Sequence, residues 1–554
     1  MTTRKCYSKC RKLPKSDCTQ AECKYIDGKI RHYCRLSHQY KMDEDCLPHL
    51  RPPRKTRKNK KDQGPGPGPG PGPGPGQRTK AETDAVAIGR RAPHIIKRFM
   101  MRHDANKRRA RFLNTICSDA GVCIAFGKES DKIKKHFGGF LDPKYMKPPI
   151  KRIGKVSANG FVNEITYENQ GYTANAILKS SANASADNLL FEYIVGKFLN
   201  EKTYFCPCFV ETYAWLLYKD ETTWTHTKTT QNNSANIFVD ALDVQKQSVK
   251  PSDLATACTH SKHVALLTQH IKNAKTITGQ MNPAFCKNEL LYALYQLYMP
   301  LSMLVNFFTH YDLHQGNVLL YEPVHGAYIE YNYHLADGTV VSFGSSYVVK
   351  IIDYGRCFFV DPEVPASNIA HSSANIYNAV CKTRECDPHC GKDLGFQWAT
   401  PGLDAADYFI SSSMRNMSHD LRFIYTLLLD ERSTIKTHHP ELSKVLEKVV
   451  YGQGIRNAAN KEYGTKEQTV SKLPRQIVNV IDLHTVLKDL IMTPTMVQEN
   501  RAHFATKTKL GTLNIYTDGR EMEYVQSTRT IPGPKAATPP PAASPSWDSS
   551  VDYF

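Results

Sequence analysis

Two short stretches of the 554-residue chain set carboxylates, an amide and histidines at spacings that suit phosphoryl transfer. The first is HYDLHQGNVLL, His310 to Leu320, and the second is VVKIIDYGRCF, Val348 to Phe358. Phosphoryl transfer from ATP leaves a protein little covalent work. The protein orients the acceptor hydroxyl, holds metal ions across the β- and γ-phosphates and offsets charge on the transferring group. Asp312 can accept the hydroxyl proton. Asn317, five residues on, can hold a magnesium or manganese ion through a hard oxygen, and Asp353 supplies a carboxylate that bridges metal and phosphates. The apolar residues Val348, Val349, Ile351 and Ile352 predict a strand that delivers Asp353 to a cleft.

These stretches resemble the H-x-D-x-x-x-x-N catalytic loop and the D-F-G motif of the protein-kinase-like superfamily. The resemblance implies an α+β, bilobal fold, with a β-rich N-lobe over residues 151–272 and a helical C-lobe over 273–530, and it implies ATP and Mg2+ as cofactors. Ala176-Ile177-Leu178-Lys179 then matches the V-A-I-K strand, so that Lys179 meets the α- and β-phosphates. Glu192, in the helical run DNLLFEYIVGKFLNE, pairs with Lys179; an unrelated surface lysine and glutamate are the bland alternative. VALLTQ, 264–269, fits the strand before the hinge, where backbone at Gln269 meets the adenine. Asn288 to Phe308 fits the long helix before the catalytic loop. His310 takes a structural role, and Asp420 in SHDLRFIYTLL stands where the family has a buttressing aspartate that holds the loop's backbone.

The departures from the pattern bear on activity. The nucleotide-covering loop reads IGKVSANGFV, 153–162: Gly154 and Gly160 remain, Val156 replaces the middle glycine and one residue is inserted. Glycines let backbone amides approach phosphates closely, so nucleotide geometry is altered here. Tyr354 replaces the phenylalanine of D-F-G. His314 stands where serine/threonine kinases usually carry lysine, and H-x-D-L-H-x-G-N is similar to small-molecule kinases of the choline and aminoglycoside type. No A-P-E follows. Between the two metal motifs, YEPVHGAYIEYNYHLADGTVVSFGSS reads as an inserted hairpin turning at Asp337-Gly338. Cys381, Cys386, His389 and Cys390 read as a surface loop, with metal binding or redox chemistry as alternatives.

Outside these elements the chain is uneven. Its net charge of +19 lies wholly in residues 1–111, which hold 29 Lys/Arg against 10 Asp/Glu, while the remainder is electroneutral. A module over residues 1–50 carries Cys6, Cys10, Cys18, Cys23, Cys34 and Cys46, whose spacing leaves structural Zn2+, disulfides and reduced thiols all open. A basic and Gly-Pro linker, 51–85, and a basic, partly helical extension, 86–150, follow; residues 51–111 could engage nucleic acid or another polyanion. Residues 531–554 read as a disordered tail. The uncharged run Leu290 to Phe308 contains Gln296, Pro300 and Asn306 and reads as a buried helix, so no transmembrane segment is expected. The N-terminus has no apolar core of a signal peptide.

A kinase-like region with insertions, joined to a cysteine module, a Gly-Pro repeat and basic tracts, resembles proteins of nucleocytoplasmic large DNA viruses such as iridoviruses. That resemblance implies a serine/threonine kinase acting on protein hydroxyls in host cytoplasm or packaged in the virion. A small-molecule kinase, or a catalytically inert virion scaffold with a polyanion-binding arm, are the alternatives.

Overall fold

The computed structural model describes residues 23–27, 32–36, 128–157, 160–170, 172–183, 189–236, 240–245, 249–254, 263–380, 395–398, 407–451 and 476–527. The chain divides into two units, residues 1–91 and 92–554. In the first, β1 (Cys23–Asp27) and β2 (His32–Leu36) form an antiparallel hairpin with Tyr25 opposite Cys34. Cys6, Cys10, Cys18 and Cys46, the basic tracts of 51–111, the Gly-Pro repeat, Cys381 to Cys390 and the tail from 531 lie outside the described residues.

The second unit is α+β. After helix α1 (Lys128–His136) come β3 (Met146–Ile153), β4 (Gly160–Asn169) and β5 (Tyr172–Ser181). Helix α2 (Leu189–Lys202) then precedes β6 (Thr212–Tyr218), β7 (Asn232–Asn233), β8 (Leu242–Val244) and β9 (Val264–Gln269), with α3 (Glu221–Thr229) between β6 and β7. These strands make one antiparallel sheet in the order β7-β3-β4-β5-β9-β6-β8. β3 begins at Met146, ahead of the start expected at 151.

Alternation along β4 and β5 gives the sheet two faces. Phe161, Ile165, Tyr167, Ala176 and Leu178 pack in an outer core with Ile133 and Phe137 of α1. The opposite parity puts Val162 beside Lys179 and Glu164 beside Ile177 on the other face. Helix α2 is apolar nearly all round and correspondingly buried. It approaches β6 so closely that a Cβ on Gly196 would lie 2.0 Å from Thr212 Oγ1. The Asn200 amide fixes that contact, donating to Thr212 O at 2.6 Å and accepting from Thr212 N at 2.8 Å.

Beyond β9 the described residues mix helices with short strands, so the helical C-lobe expected there is not purely helical. Where one helix was expected from 288 to 308, α4 (Pro283–Asn288) and α5 (Leu290–Met303) abut at Glu289. The reason is chemical: the Glu289 carboxylate is buried, accepting from Ser345 Oγ at 2.8 Å and Ser346 N at 3.1 Å. Helices α6 (Ser373–Val380), α7 (Arg422–His438), α8 (Pro440–Leu446), α9 (Val480–Ile491) and α10 (Pro494–Phe504) follow. Among the described residues no helix is long and apolar enough to cross a membrane.

Among the described residues of this unit, four small sheets accompany these helices. Strands β10 (Lys275–Thr276), β12 (Val318–Tyr321) and β15 (Val348–Ile351) form one, and β11 (Phe308–Thr309) pairs with β16 (Phe358–Phe359). β17 (Gly395–Trp398) pairs with β18 (Asp407–Ile410). The inserted hairpin forms as expected from β13 (Ala327–His334) and β14 (Val340–Ser345), with Gly338 at φ +85 in its turn. The sequence did not disclose its partner. β19 (Thr508–Tyr516) runs parallel beside β13, with β20 (Glu523–Gln526) outermost. This sheet packs on α5 through Tyr295 against Tyr333 and Tyr292 against Phe343, with ring centroids 5.0 and 4.9 Å apart.

Candidate functional site

The loop from His310 to Asn317 leaves β11 and enters β12, and its course is set by buried polar contacts. Asp420, itself buried, accepts from His310 N at 2.8 Å and Tyr311 N at 3.0 Å, and Tyr311 takes φ +63. Burial pushes the Asp420 carboxyl up to about 7 against the pull of those two N–H groups. His310 is fully buried with Nε2 3.0 Å from Ile352 O, so Nε2 carries the ring proton and donates it. Asn317 donates Nδ2–H to Asp312 O at 2.9 Å, which leaves its Oδ1 turned away from that bond. Ile352 N donates to Asn317 O at 3.1 Å, tying the loop to the strand that leads into Asp353.

The second cluster joins the sheet to that strand. Lys179 Nζ lies 2.8 Å from Glu192 Oε2 of α2 and 2.8 Å from Asp353 Oδ1. Burial works against the Lys179 charge, but the two carboxylates outweigh it and hold the ammonium above its ordinary pKa. Asp353 is driven down by Lys179, with Arg356 and His310 adding to the effect, in spite of its burial. Asp353 takes φ +66, a conformation unusual for a non-glycine residue. Its neighbour anchors it: Tyr354 Oη accepts from Val210 N at 2.8 Å and donates to Ile351 O at 2.9 Å. The tyrosine hydroxyl thus does what a phenylalanine there could not.

Asp312 is held by cations. Arg422 Nη1 lies 2.9 Å from its Oδ1, and Arg356 Nε lies 3.7 Å from its Oδ2. His314 Nε2 is 4.0 Å away, while its Nδ1 accepts from Gly316 N at 3.0 Å. Burial raises the Asp312 pKa, yet Arg422, His314 and Arg356 together bring it below the ordinary carboxylate value. The His314 ring is kept below its usual pKa by burial, and the neighbouring arginines reinforce this. Neither arginine was singled out in the sequence. Their positions were a usable signal: Arg356 follows D-Y-G and Arg422 stands two residues after Asp420.

The glycine hairpin is the turn from β3 to β4. Gly154 has φ +63, and a Cβ on Gly160 would come 2.6 Å from Ser180 O. Ser157 closes the turn, its N–H donating to Gly160 O at 2.9 Å and its Oγ accepting from Gly160 N at 3.0 Å. Residues 158 and 159 lie outside the described residues. Gln269 ends β9, as expected. Its N–H, however, is given to Glu211 O at 2.7 Å and that of His270 to Asn175 O at 3.1 Å. Neither amide is therefore turned toward a ligand. Just beyond, Lys272 pairs with Glu164 at 2.6 Å, joining the linker to the face of the sheet that carries Lys179.

Lys179, Glu192 and Asp353 are thus brought together, as are His310, Asp312, His314, Asn317 and Asp420. Among the described residues no group of three or more His, Cys, Asp or Glu side chains gathers to enclose a metal ion. Asn317 and Asp353 supply hard oxygens of the kind that bind Mg2+ incompletely, leaving phosphate oxygens and water to finish its shell. The donor chemistry fits that cation. No protein-family model and no curated protein sequence matches the chain.

Proposed function

We infer that the chain is an ATP- and Mg2+-dependent phosphotransferase of the protein-kinase-like type, acting on serine and threonine hydroxyls of protein substrates. The observation that carries this reading is Lys179 bridging Glu192 and Asp353 at 2.8 Å each. A scaffold has no chemical need for that triad, and it has still less need of a second buried carboxylate on an adjoining loop. The bilobal reading is supported by the order of parts. A glycine hairpin, Lys179, the Glu192 helix and a linker belong to one antiparallel sheet region, and the two metal motifs follow in helical surroundings.

Each side chain has one task in the reaction. Lys179 holds the α- and β-phosphates, and Glu192 keeps Lys179 aligned. Asn317 and Asp353 would hold Mg2+, which when bound would neutralise charge on the phosphates. Asp312 orients the acceptor hydroxyl. As the acceptor oxygen bonds to the γ-phosphorus, the bond to the β,γ-bridging oxygen breaks, ADP leaves, and the hydroxyl proton passes to Asp312. His310 and Asp420 keep the loop in register. We propose, on the resemblance to large DNA virus proteins, that the substrates lie in host cytoplasm or the virion.

The test is transfer of labelled phosphate from Mg-ATP, with wild type beside Asp312→Ala, offered casein-like protein and a panel of small alcohols. Label on protein that disappears in the variant is the expected outcome. Label on small alcohols alone would move the chain to the small-molecule kinases, and none on either from nucleotide-bound protein would favour a scaffold.

A further inference from the structure

Asp312 needs more than a loop to aim it. A carboxylate at the end of one rotatable side chain works as a proton acceptor only if it points at the acceptor hydroxyl, and small misplacements are expensive in rate. The backbone contacts of Asp420 fix the chain at His310 and Tyr311 but leave the Asp312 carboxyl free to turn about its own bonds. Arg422 supplies the missing constraint. It opens α7, directly after the short turn of His419 to Leu421 that carries Asp420, so backbone and side-chain anchors come from one rigid piece of chain. Its side chain is only 7% exposed, and its Nη1 meets Asp312 Oδ1 at 2.9 Å, leaving Oδ2 on the side toward Arg356 at 3.7 Å. A buried guanidinium holds that oxygen through a directed, charge-assisted N–H bond, which the shorter-reaching point charge of a lysine ammonium does not reproduce.

We propose that Arg422 is a positioning residue for the phosphotransfer reaction, locking the Asp312 carboxylate so that one oxygen is held and the other is presented to the acceptor hydroxyl. The inference rests on the reading of Asp312 as the proton acceptor. The groups that face this carboxylate are Arg422 from α7, Arg356 from the segment after Asp353, and His314 from the loop itself, with Asp353 across the cleft. Arg422 is the one among them within hydrogen-bond distance in the described geometry.

The experiment is a kinetic cycle on the full chain with Arg422→Gln, Arg422→Lys, Asp312→Ala and the double variant Arg422→Gln/Asp312→Ala. Arg422→Gln should lower kcat about 100-fold while leaving the KM for Mg-ATP within about twofold, since the residue acts on the acceptor side alone. Arg422→Lys should recover about tenfold of that loss, because it restores charge without the planar fork. The double variant should be no slower than Asp312→Ala, as expected for two residues acting as one unit. Unchanged kcat in Arg422→Gln, or further loss in the double variant, would overturn the inference. So would a crystal structure of Arg422→Gln with the Asp312 carboxylate unmoved, whether or not the wild type transfers phosphate. Wild-type protein that binds nucleotide and transfers nothing would instead overturn the reading of the site, and the position of the carboxylate in that variant would still decide the role of Arg422.

Discussion

The two halves of the candidate site solve opposite electrostatic problems. Around Lys179 one cation lies between two carboxylates, Glu192 and Asp353, and Asp353 remains a third exposed. Around Asp312 one carboxylate lies beneath two arginines and a histidine and is only 15% exposed. The first half is short of positive charge and suits the arrival of a metal-bound polyphosphate. The second is already neutralised from within the fold. Neutralisation by the protein makes for rigidity, while neutralisation left to a ligand makes for dependence on that ligand.

That contrast can be broken most decisively at Asp353. Asp353→Ala should reduce Mg2+-dependent transfer about 1,000-fold or more, measured as labelled phosphate on protein. Turnover that survives would leave the first half without a function. Next in size is Asp420→Ala, which strands two buried N–H groups of the His310 to Asn317 loop. It should cost about 2–4 kcal/mol of stability, read from the urea midpoint, and slow turnover with it. Tyr354→Phe makes the matching cut in the first half. Loss of a hydroxyl bonded to Val210 N and Ile351 O should cost about 1–2 kcal/mol while the ring still fills its place. A larger loss for Tyr354→Phe than for Asp420→Ala would invert the comparison, making the nucleotide half the more rigid one.

The smallest expected effect is a pH dependence outside both halves. Burial pushes the Glu289 carboxyl up to about 7, against the hydrogen bonds from Ser345 and Ser346. Because the folded pKa lies above the unfolded one, the folded protein keeps a proton that the unfolded chain has lost. The associated stability is present at acid pH and declines as pH rises toward and through 7. Asp420, also raised to about 7, contributes with the same sign. In Glu289→Gln the fall in Tm between pH 5 and pH 8 should shrink by about 2–4 °C. A slope identical to wild type would remove Glu289 as a contributor.

Much of the scaffold was legible because periodicity and position coincide there. VALLTQ forms the whole of β9, Lys179 lies on β5, Glu192 lies in the first turn of α2, and Asp337-Gly338 turns the inserted hairpin. The misses share a cause, namely long-range partners that leave no local mark. The helix expected from Asn288 to Phe308 starts only at Leu290, after Glu289 turns its buried carboxyl to Ser345 and Ser346, and it ends at Met303. The resemblance to a hinge strand suggests backbone at Gln269 open to an adenine, yet Glu211, far off in sequence, takes its N–H. The place of Arg422 two residues after Asp420 was a usable mark, but its partner Asp312, 110 residues away, shows only in the fold. The motifs marked the candidate groups, and the packing supplied their orientation.

Strand β19 ties residues 508–516 to β13, the hairpin inserted between the two metal motifs. β13 has β14 on one edge, and its other edge has no partner until β19 is made. On the ribosome, every motif of the site emerges well before the strand that completes the sheet supporting α5. Closing so distant a pair is slow, and the waiting edge is open to other chains meanwhile. Completion of this sheet therefore waits on residues 508–516, and a nascent chain stalled before Thr508 would carry the candidate site on an unfinished support.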